Sequence, residues 1–364
     1  MKILMTFLSL LFISATTIAQ SNYYVTGKVI STQTSLPLQG ASVFAQNTTI
    51  GTATDADGNF KLLLPNGGYD LVVTFTGYNT ETKRVTTGDA DNKNIIFQLR
   101  QKEKEMMEVS VVASTEVKDG WEKYGSFFLD EFIGKTANSK NCTVKNPEVL
   151  KFYFSKRKNR LKVLATEALQ IENKALGYTI KYALDSFTHE YTTEISLYTG
   201  YPFFEEMLAK DSARQLQWNQ ARQRAYRGSV LHFMRSVFNK NLKEQGFEIQ
   251  FIIKTEARQT AAVVKDAYAA LHYEKDDSTT TVKILPNQND VGVLYTKEKP
   301  AEDFIKLNPG EPADFQFSVL SFIPQHFIII EQNGYYFEQN ELSISGYWVW
   351  DKVADLLPYD YVPL

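Results

Sequence analysis

Short runs in which apolar and polar residues alternate fill the first hundred positions of the chain. They are rich in β-branched and aromatic side chains and occupy residues 23–30, 41–45, 60–62 and 71–75. Alternation with a period of two is the pattern of a half-buried strand, and turn-forming residues such as Asp57-Gly58 separate the runs. Strands at intervals of about 8–12 residues are typical of a β-sandwich. We therefore expect an all-β sandwich of seven strands over residues 21–100.

The pattern changes after residue 118, where helical and strand-like periods mix. Apolar spacing predicts helices over residues 121–132, 205–245 and 260–272. One face of the second helix carries Leu231, Met234, Phe238 and Leu242. Strands are predicted over residues 149–155, 160–166, 175–184, 192–198, 247–254, 279–285 and 291–296, with residues 200–202 ending the fourth. Asn333-Gly334 predicts a two-residue hairpin turn. We expect an α+β domain over residues 119–364.

The N-terminus has the features of a secretory signal. Lys2 supplies a basic start, residues 3–13 are mostly apolar, and the small residues Thr17 and Ala19 precede Gln20 as a cleavage site requires. An N-terminal membrane anchor is the alternative, although the apolar run is short for the roughly 20 residues that a span needs. We expect residues 1–19 to be removed and the protein to be exported.

Composition excludes several classes of protein. The 364 residues include 39 basic and 42 acidic side chains, a formal charge of −3, and 43% are hydrophobic. This balance argues against nucleic acid as a partner, and no transmembrane segment is expected once the signal is removed. Cys142 is the single cysteine, which excludes an intrachain disulfide. We interpret it as a buried small hydrophobic residue rather than a nucleophile or a dimer bridge.

A series of motifs in the predicted sandwich resembles a known family. The motifs are Gly27-Lys28-Val29, Pro37-Leu38-Gln39-Gly40-Ala41-Ser42-Val43, Gly51-Thr52-Ala53-Thr54-Asp55-Ala56-Asp57-Gly58-Asn59-Phe60 and Gly77-Tyr78. Their order and spacing are similar to those of the carboxypeptidase-regulatory-like domain. That family is a prealbumin-like seven-stranded sandwich, and it often precedes the plug of TonB-dependent outer-membrane receptors in Gram-negative bacteria.

The resemblance implies a place in the envelope of a Gram-negative bacterium, either in the periplasm or at the outer membrane and cell surface. We expect neither a plug nor a barrel in the remaining residues, because they lack a long series of alternating strands. Stretches of the second half, among them residues 132–138 and 171–178, look like those of uncharacterised envelope proteins. This second likeness implies no active residues.

The residues of common catalytic and metal sites do not have the required spacing. None of the histidines has a Glu three residues later, as a zinc carboxypeptidase requires; they are His189, His232, His272 and His326. No serine-hydrolase or nucleotide-binding motif is present. Asp55, Asp57 and Asn59 could begin a calcium loop, but its sixth and twelfth positions hold Phe60 and Asn66. A tight turn is favoured there, and we expect no metal, no cofactor and no identifiable catalytic residue.

Two features are candidates for binding. Residues 210–245 contain eight basic and two acidic side chains, and Arg222, Arg224 and Arg227 form a candidate patch for a polyanion such as lipopolysaccharide or an acidic glycan. The alternative is a solvated helix face. Tyr347, Trp348 and Trp350 form a candidate platform for a glycan, and the alternative is a set of core aromatic residues or cross-strand pairs.

Residues 101–118 join the two predicted domains as a linker with a short strand. A charged run is followed by Met106-Met107-Glu108-Val109-Ser110-Val111-Val112, which resembles the box that pairs with TonB in the receptors. We favour an edge strand that ties the domains together. In that case Val109, Val111 and Val112 are mostly buried, and the protein does not bind TonB.

The leading hypothesis is a non-enzymatic, exported envelope protein with a binding or assembly role. It would be accessory to outer-membrane transport or to glycan handling, with an unknown envelope protein or a glycan as its partner. The alternative is a hydrolase acting on glycans or the cell wall through carboxylates that the sequence does not single out.

The cleavage site gives the first prediction. The mature protein should begin at Gln20, because Thr17 and Ala19 satisfy the small-residue rule. Intact mass of the exported protein measures this directly, and retention of Met1 would contradict it.

Overall fold

The structure, a computed structural model, describes residues 22–102, 115–254, 259–337 and 339–363. The predicted signal peptide and the predicted burial of Val109, Val111 and Val112 lie outside the described residues. Three large hydrophobic cores organise the described residues. One fills the N-terminal sandwich, one lies against a six-stranded sheet, and one lies among a helix and two further sheets.

The N-terminal part is a sandwich of a three-stranded and a four-stranded sheet. Its strands are β1 (Asn22–Ser31), β2 (Ser42–Ala45), β3 (Gly51–Ala53), β4 (Asn59–Pro65), β5 (Gly68–Thr74), β6 (Glu81–Thr86) and β7 (Ile95–Leu99). The sheet orders are β4-β1-β7, with β1 and β7 parallel, and β3-β2-β5-β6. Phe60, Leu62 and Leu64 alternate with less buried residues along β4 and point into the core. The predicted seven-stranded sandwich is confirmed.

The segment that could begin a calcium loop is a tight turn between β3 and β4. One carboxylate oxygen of Asp55 accepts hydrogen bonds from the backbone N–H of Asp57 at 3.0 Å and of Asn59 at 2.7 Å. These bonds hold the pKa of Asp55 below its usual value. Gly58 has φ +77°, which favours glycine. The prediction of a turn is confirmed.

The second core lies between helix α1 (Gly120–Phe132) and a six-stranded sheet. The strands are β8 (Cys142–Val144), β9 (Leu150–Ser155), β10 (Arg160–Ala165), β11 (Leu169–Asn173), β12 (Tyr178–Glu190) and β13 (Ile195–Glu206). Their order is β8-β11-β12-β10-β9, and β13 pairs with β12. Phe128 and Phe132 lie one helical turn apart and meet Phe187 and Tyr182 edge-on, with ring centroids 5.2 Å and 5.0 Å apart.

The hairpin of β12 and β13 is longer than the sequence predicts. The predicted strand over residues 175–184 includes the turn before β12, in which Gly177 has φ +72°. The prediction that residues 200–202 end a strand is wrong, because β13 continues to Glu206 through Pro202. Proline is tolerated there because β13 lies at the edge of the sheet, where its missing N–H breaks no ladder bond.

The third core contains residues of a helix and of two antiparallel sheets. Along the chain, three helices come before the strands of this part: α2 (Ser212–Tyr226), α3 (Val230–Phe238) and α4 (Leu242–Gln245). The strands are β14 (Phe247–Lys254), β15 (Gln259–Val263), β16 (Glu274–Asp276), β17 (Thr281–Ile284), β18 (Asp290–Tyr295), β19 (Gln316–Phe322), β20 (Ile328–Glu331), β21 (Tyr336–Phe337) and β22 (Leu342–Gly346), with α5 (Ala267–Ala270) and α6 (Glu302–Leu307) between them. The sheet orders are β15-β14-β18-β19-β22 and β16-β17-β20-β21. The predicted α+β arrangement after the sandwich is confirmed.

The predicted helix over residues 205–245 is wrong at its start, where residues 205 and 206 end β13, and from Ser212 onward it is three helices. Asp211 caps α2 by accepting a hydrogen bond from the N–H of Arg214, and Ser229 caps α3 in the same way. Gly228 separates the two helices with φ +75°. The predicted apolar face is present, since Met234 and Phe238 are buried in the third core.

Two local predictions fail because the chain pairs differently. The prediction of a helix over residues 260–272 is wrong at its start, where β15 pairs with β14 and places Ala261 opposite Ile252. Cross-strand pairing overrides the helical preference of its alanines. The prediction of a two-residue turn at Asn333-Gly334 is wrong, because the turn is a three-residue loop. The backbone N–H of Glu331 donates to the carbonyl of Tyr335, and the backbone carbonyl of Glu331 accepts from the N–H of Gly334.

The buried histidine of α3 gives a pH-dependent prediction. Burial lowers the pKa of His232 from 6.5 to about 4. Because the folded pKa lies below the unfolded one, this contribution to stability is complete above pH 6.5 and is lost as the pH falls towards 4, by up to about 3 kcal/mol. In urea denaturation at a series of pH values, the advantage of the wild type over His232→Gln should shrink across this window. A constant difference would contradict the prediction.

Candidate functional site

The first arginine of the candidate polyanion patch is buried in the protein. Arg222 is 5% exposed, and its Nε and Nη2 donate to the carbonyls of Leu176 and Gly177 at 2.7 Å and 3.2 Å. Its Nη1 lies 3.0 Å from Glu206, and the guanidinium stacks 3.9 Å from the ring centroid of Tyr178. Arg222 therefore anchors α2 to the turn before β12 and does not belong to a surface patch.

The other two arginines of the candidate patch are on the surface. Arg224 and Arg227 are exposed, and Nη1 of Arg227 lies 3.5 Å from a carboxylate oxygen of Glu298. The structure thus divides the three predicted residues between one structural anchor and two exposed cations.

The candidate glycan platform consists mainly of core residues. Tyr347 and Trp348 are only 9% and 6% exposed. The indole N–H of Trp348 donates to the carbonyl of Gly228 at 2.6 Å. Tyr347 and Trp350 meet Phe304 edge-on, with ring centroids 5.0 Å and 5.7 Å apart. These aromatic rings pack against the protein, as expected for the alternative interpretation, a set of core aromatic residues. They do not form a flat surface platform.

Cys142 lies in β8 as a free, half-buried thiol that packs against the second core. Burial raises its pKa to about 12, so that the thiolate is disfavoured at neutral pH. This environment favours a packing role over a nucleophilic one.

The loop between β2 and β3 joins the sandwich to the six-stranded sheet. The N–H of Asn47 donates to the carbonyl of Pro202 at 2.8 Å, and the N–H of Phe204 donates to the carbonyl of Thr48 at 3.0 Å. The loop therefore adds backbone hydrogen bonds to the free edge of β13, as an extra strand would.

Apolar side chains pack beside this loop. Phe44 and Val72, on the outer face of the four-stranded sheet, form a small buried cluster with Phe203 of β13. The rings of Phe44 and Phe203 lie 5.1 Å apart between centroids. The sandwich and the six-stranded sheet therefore meet through a dry contact next to the backbone bonds.

The C-terminal tail, residues 353–361, touches all three parts of the structure. The N–H of Tyr359 donates to the carbonyl of Asn47 at 2.7 Å, and its carbonyl accepts from Nη2 of Arg235 in α3 at 2.9 Å. The carbonyl of Ala354 accepts from the side-chain amide of Asn173 in β11 at 2.9 Å. The tail thus fixes the sandwich, the six-stranded sheet and α3 relative to one another.

A polar cluster, which we call the latch, makes a second contact between the sandwich and the C-terminal sheets. It consists of Asp70, Arg84, Glu331 and Tyr335. Arg84 lies between two carboxylates, 3.3 Å from Asp70 and 2.6 Å from Glu331, and the hydroxyl of Tyr335 donates to Asp70. Glu331 is 3% exposed, and burial raises its pKa although Arg84 opposes the shift.

A cleft of about 1120 Å³ lies between the sandwich and the six-stranded sheet, and we call it the sandwich–sheet cleft. Four half-buried aromatic side chains line it: Phe75 and Tyr78 from the sandwich, and Tyr153 and Tyr201 from the sheet. Hydroxyl and amide side chains lie between them, among them Ser42, Thr74, Thr76, Asn79, Thr80 and Gln101. Its charged lining residues are Arg100, Lys102, Lys151, Glu167 and Asp185.

A β-bulge lies in the wall of the cleft. Leu184 pairs with Gly200 and Ser186 with Thr199, so that Asp185 is the extra residue of β12. Bulges redirect side chains and are common next to functional sites. Although the Asp185 side chain reaches solvent, desolvation raises its pKa, and the charge of Lys102 opposes this shift.

The sequence contains a signal for this bulge that the strand prediction missed. The buried positions of β12 are even-numbered up to Leu184 and odd-numbered from Phe187 onward. A strand keeps its buried positions two residues apart, so the change of parity requires one inserted residue. The predicted strand ended at residue 184, so it did not include the odd-numbered buried positions that begin at Phe187.

With this geometry established, comparison with known proteins assigns the N-terminal part. Residues 25–111 match the family model of the CarboxypepD_reg-like domain. The N-terminal sandwich is a carboxypeptidase-regulatory-like domain. Tyr78, one of the residues that suggested the resemblance, lies in the sandwich–sheet cleft.

A curated relative shares this region. The chain is 31% identical over 112 residues to TonB-dependent receptor P3 of Formosa agariphila, a match that covers 31% of this chain and 11% of the receptor. The chain therefore matches about a tenth of the length of that relative.

Two solved structures have lower similarity. A DUF3823 family protein from Bacteroides ovatus is 13% identical, with 52% of this chain and 83% of that chain covered and a TM-score of 0.18. A DUF3823 family protein from Parabacteroides merdae is 12% identical, with 50% and 80% covered and a TM-score of 0.18. TM-scores this low do not establish a shared fold.

The family match and the receptor similarity fit an envelope protein. Within the described ranges, no helix combines the length and the apolar character needed to cross a membrane.

The latch gives a stability prediction. A Cβ at Gly68 would lie 2.1 Å from Nη2 of Arg84 and 2.5 Å from Oε1 of Glu331. Arg84 can move away only by leaving the buried Glu331, so Gly68→Ala should lower the free energy of unfolding by about 2 kcal/mol. Gly310→Ala is the matched control, because a Cβ there has no neighbour within 4 Å. Urea denaturation of both variants tests this, and equal stability of the two would contradict it.

Proposed function

We propose that the protein is a non-enzymatic, exported envelope protein that binds a glycan in the sandwich–sheet cleft. It would face the periplasm or the cell surface and act as an accessory to glycan handling. The observation that carries the proposal is the lining of the cleft, in which four aromatic side chains are interleaved with hydroxyl and amide groups.

The chemistry of this lining suits an oligosaccharide. A sugar ring has apolar faces that stack on aromatic rings and hydroxyls at its edges that need hydrogen-bonding partners. Phe75 and Tyr78 form one aromatic pair, with ring centroids 5.4 Å apart, and Tyr153 and Tyr201 lie on the opposite wall. Aromatic side chains with a few polar groups are the usual lining of ligand sites.

The volume and construction of the cleft support an extended ligand. About 1120 Å³ exceeds the range of roughly 300–1,000 Å³ that is usual for sites of drug-sized ligands. The contact of Phe44 with Phe203 holds the two walls together beside the cleft. A preformed site of this kind reduces the entropy lost on binding.

The test is binding of neutral hexasaccharides of glucose, mannose and N-acetylglucosamine to the full chain by calorimetry. At least one should bind saturably. Tyr78→Ala and Tyr153→Ala should each weaken binding by about tenfold or more, whereas Tyr78→Phe keeps the ring and should retain most of the affinity. Tyr24→Ala is the control, because Tyr24 is 51% exposed and does not line the cleft. Failure of all three sugars to bind, or equal loss in the control, would contradict the proposal.

A glycan-acting hydrolase is the second candidate function, and Asp185 favours it. Its pKa is raised, as for a general acid, and Glu167 is a second carboxylate in the same cleft. Release of reducing sugar from the bound hexasaccharide that is lost in Asp185→Asn, with binding intact, would establish this function. If the sugar remains intact after prolonged incubation, the result supports the non-enzymatic binding function.

A further inference from the structure

A second cavity of about 460 Å³ lies away from the sandwich–sheet cleft, and we call it the basic pocket. Its walls come from α2, α3, the residues before α4 and the end of β18, and they include Tyr226, Arg227, Arg235, Tyr295, Lys297 and Glu298. None of these residues lines the cleft. An inference about this pocket is therefore independent of the proposed function.

Two buried tyrosines line the basic pocket. Tyr226 and Tyr295 are 9% and 3% exposed. Between them lies His232, whose Nδ1 accepts from the N–H of Gly228 at 3.1 Å and whose Nε2 lies 3.0 Å from the amide oxygen of Gln245. This pattern fits the neutral ring with a proton on Nε2. His232 therefore holds the pocket together and adds no charge at neutral pH.

Arg235 also has a structural role. Its three guanidinium nitrogens donate at 2.9 Å to the carbonyls of Asn333, Tyr359 and Tyr361. Its positive charge remains in the wall of the pocket, since carbonyl oxygens do not neutralise it.

Two further cations have donors available for a ligand. Arg227 is about half exposed and lies 3.5 Å from Glu298. Within the described part of the chain, the Nζ of Lys297 donates one hydrogen bond, to the carbonyl of Glu244 at 2.6 Å, which leaves two of its three protons. Among the described residues that line the pocket, Glu298 is the single carboxylate side chain beside the three cations Arg227, Arg235 and Lys297.

The pocket also contains an acceptor that has no partner among the residues that the structure describes. Asn241 precedes α4 but does not cap it, and its side-chain oxygen is buried and accepts no hydrogen bond from the described residues. Buried polar atoms are normally satisfied. A hydroxyl group of a ligand is a donor that would satisfy this oxygen.

We propose that the basic pocket binds a monosaccharide-sized organic anion, a sugar that carries a carboxylate or a phosphate. The acid group pairs with Arg227 and Lys297, the sugar ring lies against Tyr226 and Tyr295, and a hydroxyl donates to Asn241. Arg227 is thus the member of the predicted polyanion patch that takes part, together with cations that the patch did not include.

The test is calorimetry of the full chain with D-glucuronate, D-glucose 6-phosphate and D-glucose at low salt. At least one of the two anions should bind saturably, and D-glucose should bind at least about tenfold more weakly. The stronger anion identifies the acid group. Absence of binding by both anions, or equal binding of D-glucose, would overturn the proposal.

Variants with opposite expected effects separate binding from damage to the fold. Arg227→Gln should weaken anion binding by about tenfold, whereas Glu298→Gln should strengthen it several-fold, because it removes the competing carboxylate. A disrupted fold does not produce a gain in affinity. Arg157→Gln is the control, since Arg157 is an exposed arginine outside the pocket. Unchanged affinity in both pocket variants would refute the proposal even if the anion binds.

Discussion

The attachment of the C-terminal tail is the constraint on which the arrangement of the whole chain depends. Tyr359 bonds through its N–H to the sandwich and through its carbonyl to Arg235 of α3, while Ala354 bonds to Asn173 of the six-stranded sheet. The tail contributes a backbone group to each of these three bonds, and two of the partners are side chains, those of Arg235 and Asn173. One short segment therefore sets the relative positions of three separately packed cores.

Both cavities follow from this arrangement. Along β2 and β5 of the sandwich, Phe44 and Val72 touch β13, while the neighbouring Ser42 and Thr74 on the same strands face the cleft. The four-stranded sheet and the six-stranded sheet thus make a dry contact at Phe44 and Val72. Two residues further along the same strands, at Ser42 and Thr74, the two sheets are separated by the cleft. On the other side of the tail, Arg235 holds the tail while its charge remains in the wall of the basic pocket. The basic pocket lies beside the contact of the tail with Arg235, and the cleft lies beside the contact of Phe44 with Phe203.

Several features of the fold were predictable because their information is local. The Asp55 turn and the alternation along β4 depend on residues within a few positions of one another, and both were predicted. The latch was not, because Asp70 and Tyr335 lie 265 positions apart, and no sequence period joins them. The β12 bulge lies between these cases. Its parity change is visible in the sequence, but only once the strand is followed past Leu184.

The arginines show why charge alone does not locate a binding site. Three arginines of one basic stretch cannot be distinguished by counting charges: Arg222, Arg227 and Arg235. Arg222 meets two carbonyl groups and an aromatic face, and Arg235 meets three carbonyl groups, so both have become structural anchors. Arg227 follows the last turn of α2, where its nearest acidic partner is a single carboxylate 3.5 Å away. A guanidinium with several fixed donors is well suited to hold irregular backbone. Only an arginine that is not used in this way retains donors for a ligand.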